Sequence, residues 1–409
     1  MLTLDQLLDD LWPRAMNAER PTETFPLALA QGRVLAQDVV SSMNVPAFDN
    51  SAMDGYAVRV AEIHEGAPMS VSQRIPAGAN PGPLAVGTVA RIFTGAQVPE
   101  GADAVVMQEQ VQELDDGRVV LANQPKFGQS IRRRGEDIAE GATVLHAGTV
   151  LGPLQLGLLA SVGVASVQVY RPLKVGVMVT GSELQAPGQA LGPGEIYNSN
   201  EFVWVGFLSG MAVEVHTIGI VPDDLQATVE AIRNLSNQDV IISSGGVSVG
   251  EEDHVKPALE QLGALESWKV AMKPGKPVAF GHVKRPDESR CWFFGLPGNP
   301  VSSALSFLLI VKPFLGLLSG RRSADCDWRL ALRPVQAGFD WARPDPRREE
   351  FLRVHHGPDG AVSLFPNQGS GVLSSLHHSS ALVRLAPGQQ VEEGQTVMCV
   401  TLRDLMAWQ

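Results

Sequence analysis

Leucines at 4, 7, 8 and 11 recur at helical spacing behind a Thr3-Leu-Asp-Gln6 start that fits a capping box, so a short amphipathic helix is predicted over 3–12. A second helix is expected over 26–36, with Pro26 suited to its first turn. From about 41 to 141 the pattern changes. Glycine and proline punctuate short alternating runs such as Thr88–Phe93 and Ala104–Met107, and Asp116-Gly117 between apolar residues signals a hairpin. This stretch reads as a compact, mostly β domain. Residues 142–172 carry glycines around apolar runs and read as connecting β and helical structure.

At Leu173 the pattern becomes regular. Strands are predicted over 173–180, 213–221, 240–243, 278–281 and 292–296, and helices over 200–211, 225–235, 255–262 and 301–318. Strands alternating with helices imply a parallel sheet covered on both faces, whose ligands sit beyond the carboxyl ends of the strands. From about 322 the runs 329–333, 350–354, 362–365 and 396–401 alternate with turns, as in a small barrel or sandwich.

Four of the central strands run into polar loops: Thr180-Gly-Ser-Glu183, Pro222-Asp-Asp224, Ser244-Gly-Gly-Val-Ser-Val-Gly250 and Pro297-Gly-Asn-Pro300. In a parallel sheet these loops share one edge. The glycines of 243–250 let the backbone approach a ligand closely and aim N–H groups at an anion. Ser243, Gly245, Gly246, Ser248 and Gly250 are therefore candidate ligand contacts, although a tight strand-to-helix turn gives the same pattern. No Gly-Lys-Ser/Thr comes after them, so this is not a Walker loop. Pro297 and Pro300 fix a rigid turn before a helix that Asn299 can cap; by itself that is helix-start chemistry.

Composition narrows the function. The 409 residues are 44% hydrophobic and 19% charged with a net charge of -12, which suits several globular domains and argues against nucleic-acid or membrane-surface partners. Against that balance Lys269, Lys273 and Lys276 stand out as a site for phosphate or another oxyanion, with a solvated loop as the alternative. Glu183, Asp223, Asp224, Glu251, Glu252 and Asp253 at strand ends are what Mg²⁺ uses when it bridges protein and phosphate oxygens, though each alone reads as a surface or capping residue. The three cysteines form no C-x-x-C pair, and His355-His356 and His377-His378 make no metal spacing with them. No signal peptide and no apolar run of about 18 residues is read, so a cytoplasmic chain is expected. Arg132-Arg-Arg134 before Glu136 and Asp137 has the pattern of an ion-paired surface hairpin.

Six motifs in order then carry a resemblance: Asn50-Ser-Ala-Met-Asp-Gly-Tyr-Ala57, Arg91-Ile-Phe-Thr-Gly-Ala96, Arg132-Arg-Arg-Gly-Glu-Asp137, Ser243–Gly250, Met272-Lys-Pro-Gly-Lys-Pro277 and Gly295-Leu-Pro-Gly-Asn-Pro-Val-Ser302. Across essentially the whole chain they resemble the molybdopterin molybdenumtransferase family, known as MoeA in bacteria and as the E domain of gephyrin in animals. The resemblance implies a multidomain α/β plus β fold. Its parts would be an N-terminal helix (1–21) associated with the α/β domain, a connecting domain (22–40 and 142–172), an inserted β-rich domain (41–141), a parallel, doubly wound α/β domain similar to the molybdopterin adenylyltransferase (173–321), and a C-terminal β-barrel (322–409).

It also implies a Mg²⁺-dependent reaction in which molybdate and adenylylated molybdopterin give the molybdenum-loaded pterin and AMP. The family's site is shared across a homodimer, and transient contacts with the adenylyltransferase and with downstream cofactor-handling proteins are implied. Carried onto this chain, Glu183, Asp223 and Asp253 are catalytic or metal-binding carboxylates. Asp54, Thr94, Arg132 and Asp137 reach across the dimer. Ser182 departs from the family, which commonly has aspartate there, so Glu183 carries more of the load; His254 stands where an aromatic residue is frequent. Adenylyl transfer to molybdopterin and a non-catalytic scaffold are the competing readings. The extra β domains argue against the first.

Overall fold

The computed structural model describes the whole chain except residues 246–253, 276, 286, 288 and 409. The chain forms two compact units: residues 1–37, 147–152 and 167–409 in one, and 38–146 with 153–166 in the other.

In the larger unit helix α1 (Leu4–Met16) forms as the pattern predicts. Thr3 Oγ1 accepts from the Gln6 N–H at 3.1 Å while the Gln6 side chain accepts from the Thr3 N–H at 3.0 Å. Leu4, Leu7, Leu8 and Leu11 are fully buried, each contributing roughly 1.5–3 kcal/mol of burial. The helix expected over 26–36 is absent. Thr22–Pro26 is a strand, and only one 3-10 turn, Leu27–Leu29, comes after it. Gly32 takes φ +78°, and the Gly32 and Leu35 N–H groups donate to Leu151 and Thr149 rather than back along a helix.

The central sheet contains β1 (Leu173–Thr180), β2 (Val213–Val221), β3 (Val240–Ser244), β4 (Gly263–Lys269), β6 (Pro277–Lys284) and β7 (Arg290–Leu296), in the order β2-β1-β3-β7-β6-β4. A two-residue strand β5 (Met272–Lys273) lies between β4 and β6 in sequence but pairs elsewhere. The first four strands are parallel, as expected. β6 and β4 run antiparallel to them, so the sheet is mixed. β4 escapes the sequence pattern because it leaves its helix at Gly263 with no turn residues between.

Alternate residues face opposite layers. Val177, Val179, Ile242 and Phe294 pack with α1, α2 (Asn200–Ser209) and the helix Pro300–Leu318. Met178, Ile241 and Phe293 pack with α3 (Leu225–Leu235) and α4 (Val255–Leu262). This is the double winding that the alternation implies. Helix α5 (Pro300–Leu318) is long and apolar enough to cross a bilayer, but 94% of its apolar window is buried, so it is a core helix here. Phe307–Val311 within it is a π-helical segment. Asn299 precedes α5 without a side-chain cap bond, contrary to its expected role; Pro300 occupies the first turn.

The C-terminal part is a closed barrel. β8 (Arg333–Gln336), β9 (Glu349–His356), β10 (Val362–Leu364), β11 (Ala381–Leu385) and β12 (Thr396–Thr401) pair in the order β10-β9-β11-β12-β8, and a bridge from Ala337 to Val362 brings the end of β8 back against β10. Residues 329–333, expected as a strand, begin as a 3-10 turn (Trp328–Ala331), because the Asp327 side chain caps the Arg329 N–H at 3.0 Å.

The smaller unit holds a four-stranded sheet of Ser70–Ile75, Thr88–Ile92, Gly55–Val58 and Ala104–Met107 in that order. Val111–Glu113 and Val119–Leu121 form the hairpin predicted around Asp116-Gly117, with Gly117 at φ +81°.

Candidate functional site

In the parallel sheet Thr180 lies beside Val221, Val179 beside Ser244, and Ser244 beside Leu296. The carboxyl ends of four strands are therefore level, and the polar loops beyond them share one edge. Direct bonds tie these loops together. The Ser182 N–H donates to Asp223 Oδ2 at 2.7 Å, and Thr180 Oγ1 donates to the Ser244 carbonyl at 3.0 Å. The Gly245 N–H donates to the Leu296 carbonyl at 3.1 Å. Gly245 has φ +82°, and a Cβ there would stand 2.8 Å from Thr180 Oγ1, so the start of the loop requires glycine.

Asn200, at the start of α2, was not singled out by sequence reasoning. Its Nδ2 donates to Ser244 Oγ at 3.1 Å and to the Gly298 carbonyl at 2.8 Å, bridging the third and fourth loops. A buried asparagine in the first turn of a helix that starts beyond a strand's carboxyl end was the available signal. Ser243 is fully buried, and its hydroxyl has no partner among the described residues. Pro297 is buried in the turn that Pro300 completes.

The lysine segment reaches the same edge. β6 is antiparallel to β7, with Ala279 opposite Gly295, so the chain enters β6 at Pro277 beside Leu296. Lys269 is exposed at the end of β4. Lys273 is half-exposed, and its Nζ donates to Glu350 Oε1 at 2.8 Å. Gly246, Ser248, Gly250, Asp253 and Lys276, with Glu251 and Glu252, lie outside the described residues.

Asp54 and Thr94 come together in the smaller unit. Asp54 Oδ1 accepts from both the Thr94 N–H and Thr94 Oγ1, each at 2.7 Å. The Thr94 hydroxyl and then its N–H hold the Asp54 carboxyl below the usual carboxylate range. The next residue is constrained, since a Cβ on Gly55 would stand 2.0 Å from the Val106 carbonyl oxygen. Arg132 pairs in register with Asn50, just before the Asp54 turn. The surface-hairpin pattern describes Arg133, which bonds Asp49 at 2.7 Å, while the side chain of Arg132 is exposed and has no partner among the described residues. Asp137 is exposed on the return of that turn and bonds through its N–H to the Val45 carbonyl; no hydrogen bond links it to Asp54 or Thr94 among the described residues.

Glu183 is exposed and Asp223 is half-buried. Among the described residues no three His, Cys, Asp or Glu side chains cluster as a metal site. Two carboxylates at the loop edge suit Mg²⁺, which commonly takes one or two carboxylates and completes its octahedron with water and substrate phosphate oxygens. The cysteines are free and buried; burial pushes Cys291 up to about 12, Cys326 to about 11 and Cys399 to about 12, so none is a nucleophile at neutral pH.

A cavity of about 760 Å³ lies at the other end of the sheet, lined by Arg14, Arg20, Tyr170, Arg285 and Trp292 among others. Arg14 pairs with Glu266 and Asp10, Arg20 with the Ala15 and Met16 carbonyls, and Arg285 with the Ser236 carbonyl. The guanidinium groups of these three arginines are engaged by the protein itself, and the four parallel strand ends with their polar loops lie at the opposite edge.

Known proteins resemble this chain along nearly its whole length. Residues 2–163 match the MoeA N-terminal region (domain I and II), 176–316 a probable molybdopterin binding domain, and 334–402 the MoeA C-terminal region (domain IV). The chain is 44% identical to a molybdopterin molybdenumtransferase of Haemophilus influenzae over 97% of this chain and 98% of that protein. It is 33% identical to one of Bacillus subtilis over 97% of this chain and 94% of the other. A crystal structure of a molybdopterin biosynthesis MoeA protein of Pyrococcus horikoshii superposes with a TM-score of 0.80 at 29% identity, covering 100% of both chains.

Proposed function

Because the chain belongs to the molybdopterin molybdenumtransferase family, a family of molybdenum-transferring enzymes of molybdenum cofactor biosynthesis, we propose that its loop edge accepts adenylylated molybdopterin and molybdate and releases AMP and the loaded pterin. The observation that carries this reading is the convergence of Ser243–Gly245, the Asp223 and Glu183 loops and the Lys269–Lys273 segment on one edge of one sheet. Backbone N–H groups and ammonium groups suit phosphate and molybdate oxygens, and carboxylates suit a divalent cation between them.

In this reading Glu183 and Asp223, with Asp253, hold Mg²⁺, which when bound polarises the pyrophosphate link for cleavage. Lys269, Lys273 and Lys276 neutralise charge that develops on phosphate and molybdate oxygens. The loop 243–250 and the turn Pro297–Pro300 seat the ligand, and Asn200 keeps the two in register. Asp54, Thr94, Arg132 and Asp137 serve the site from the partner subunit of a homodimer. Thr94 fixes the ionised Asp54 carboxylate, and the guanidinium of Arg132, without a partner among the described residues, suits a substrate anion. The protein works in the cytoplasm, receiving substrate from the adenylyltransferase and passing product to cofactor-handling partners.

The test is direct. Purified protein, Mg²⁺, molybdate and adenylylated molybdopterin are mixed and AMP is monitored. Molybdate-dependent AMP release is expected. Its absence with competent substrate overturns the reading, and ATP consumption with free molybdopterin would assign adenylyl transfer instead.

A further inference from the structure

We propose that Glu350 of the C-terminal barrel is a positioning residue for the anion site, acting through Lys273. The inference rests on the reading of Lys273 as an oxyanion ligand.

The lysine segment leaves the central sheet at Lys269 and re-enters it at Pro277. Between them, β5 joins the barrel instead. Met272 pairs with Glu349 and Lys273 with Glu350, in parallel, and the Glu349 N–H donates to the Ala271 carbonyl at 2.7 Å. The backbone that carries Lys273 is thus an edge strand of a different sheet. The barrel therefore sets where this lysine sits.

The side chains complete the arrangement. Glu350 is 1% exposed and Lys273 42% exposed. One carboxylate oxygen of Glu350 accepts from Lys273 Nζ at 2.8 Å; the other accepts from Trp341 Nε1 at 2.8 Å and from the Asp345 N–H at 2.9 Å. Neighbouring cations are committed elsewhere: Arg348 pairs with Asp345, and Arg384 pairs with Glu349 and Asp5. A buried carboxylate fixed by two bonds from the barrel therefore anchors a flexible lysine whose remaining N–H groups stay open to solvent. An ammonium already ordered by the protein loses little further freedom when an oxyanion binds, so preorganisation favours the ligand. A carboxylate placed only to stabilise the barrel would need no partner from the site segment.

The experiment uses the full chain. Glu350→Gln keeps the size of the side chain and an oxygen acceptor for Trp341, but removes the charge that orders Lys273. KM for molybdate is expected to rise roughly tenfold, with kcat changed less than about twofold on the same scale. Lys273→Met is expected to raise KM at least as far, and the double variant to add nothing to Lys273→Met, because both act through one group. If Lys273→Met leaves KM unchanged, the oxyanion reading of Lys273 falls and the proposal with it. If Lys273→Met raises KM while Glu350→Gln does not, or if the two effects add, that reading stands and the positioning role is overturned. A Glu350→Gln variant that loses melting temperature with KM unmoved makes Glu350 purely structural, which also overturns it. Should the Gln variant fail to fold, Trp341→Phe removes one of the two barrel bonds that fix the carboxylate while keeping the charge pair. A smaller rise in KM supports the proposal, and an unchanged KM overturns it.

Discussion

The main-chain N–H of Ser182 donates to the Asp223 carboxylate at 2.7 Å. The bond joins the loops after β1 and β2, two neighbouring parallel strands, at the edge where the candidate site gathers. It comes from the backbone, so it does not depend on the side chain at 182. Serine can therefore stand where the family commonly has aspartate without loosening the loop. The second oxygen of Asp223 has no hydrogen-bond partner among the described residues, which leaves it for a cation.

Substitutions at Asp223 separate these two roles. Asp223→Asn keeps an oxygen for the Ser182 N–H and loses the charge, whereas Asp223→Ala loses both. The Asn variant is expected to keep its melting temperature while turnover falls roughly 10- to 100-fold, the size of one lost charge-assisted contact. Raising Mg²⁺ should recover part of that loss in Asn and less in Ala. AMP release at varied Mg²⁺, set beside thermal melts, measures both, and equal behaviour of the two variants would refute the division.

Asp54 gives a prediction in pH. Two bonds from Thr94 hold its carboxyl below the ordinary range. A depressed carboxyl is ionised at all pH values above its unfolded value, about 4, and loses its charge only as pH falls through the lower folded value. Asp54 should therefore leave no acid limb in the turnover profile above about pH 4. Asp54→Ala should abolish turnover with the fold intact, and Thr94→Val, which keeps only the N–H bond, should raise any acid limb. Turnover measured from neutrality down to the stability limit checks both.

The sequence shows most of this site because its signals are local. Level strand ends come from strand–helix alternation, and the glycines and prolines mark the loops they build. What it hides is non-local. Gly263–Lys269 reads as nothing in particular until β6 pairs with it, and the helix expected over 26–36 gives way to Gly32 and to long-range partners at Thr149 and Leu151. Asn200 and Glu350 bear on the candidate site through partners 44 to 98 and 77 residues away respectively, distances over which no periodicity speaks. The arginine run shows the limit of pattern from the other side: arginines before acids look ion-paired, and only the three-dimensional partners reveal that Arg133 alone of the three has a side-chain ion pair among the described residues, leaving the guanidinium groups of Arg132 and Arg134 exposed.

Asn200→Ala should uncouple the third and fourth loops. It removes the bonds to Ser244 Oγ and the Gly298 carbonyl and leaves those acceptors buried or half-covered. A stability loss of about 1–3 kcal/mol is expected, with KM for the pterin substrate raised more than kcat is lowered. Asn200→Asp, which places a largely buried carboxylate against the Gly298 carbonyl and keeps only the Ser244 hydroxyl as a donor, should be worse than Ala. Denaturant titration with steady-state kinetics checks the order, and an Asp variant milder than Ala would contradict the bridging role.

Lys312 supplies a signature of stability that is independent of catalysis. Burial lowers its pKa from 10.5 to about 8, and its ammonium donates to the Ala407 carbonyl near the C-terminal end of the chain. The neutral form is the one the fold favours. Between about 8 and 10.5 the unfolded chain binds more protons at this lysine than the folded chain does, so the linkage slope is positive and stability rises with pH across that window. Below it, both states carry the proton and the desolvation cost is fully present. Lys312→Met removes the titration. The melting temperature of the parent chain should gain roughly 2 °C or more on the variant as pH is raised from 8 to 10. Parallel curves for the two proteins would show that Lys312 keeps an ordinary pKa in the fold.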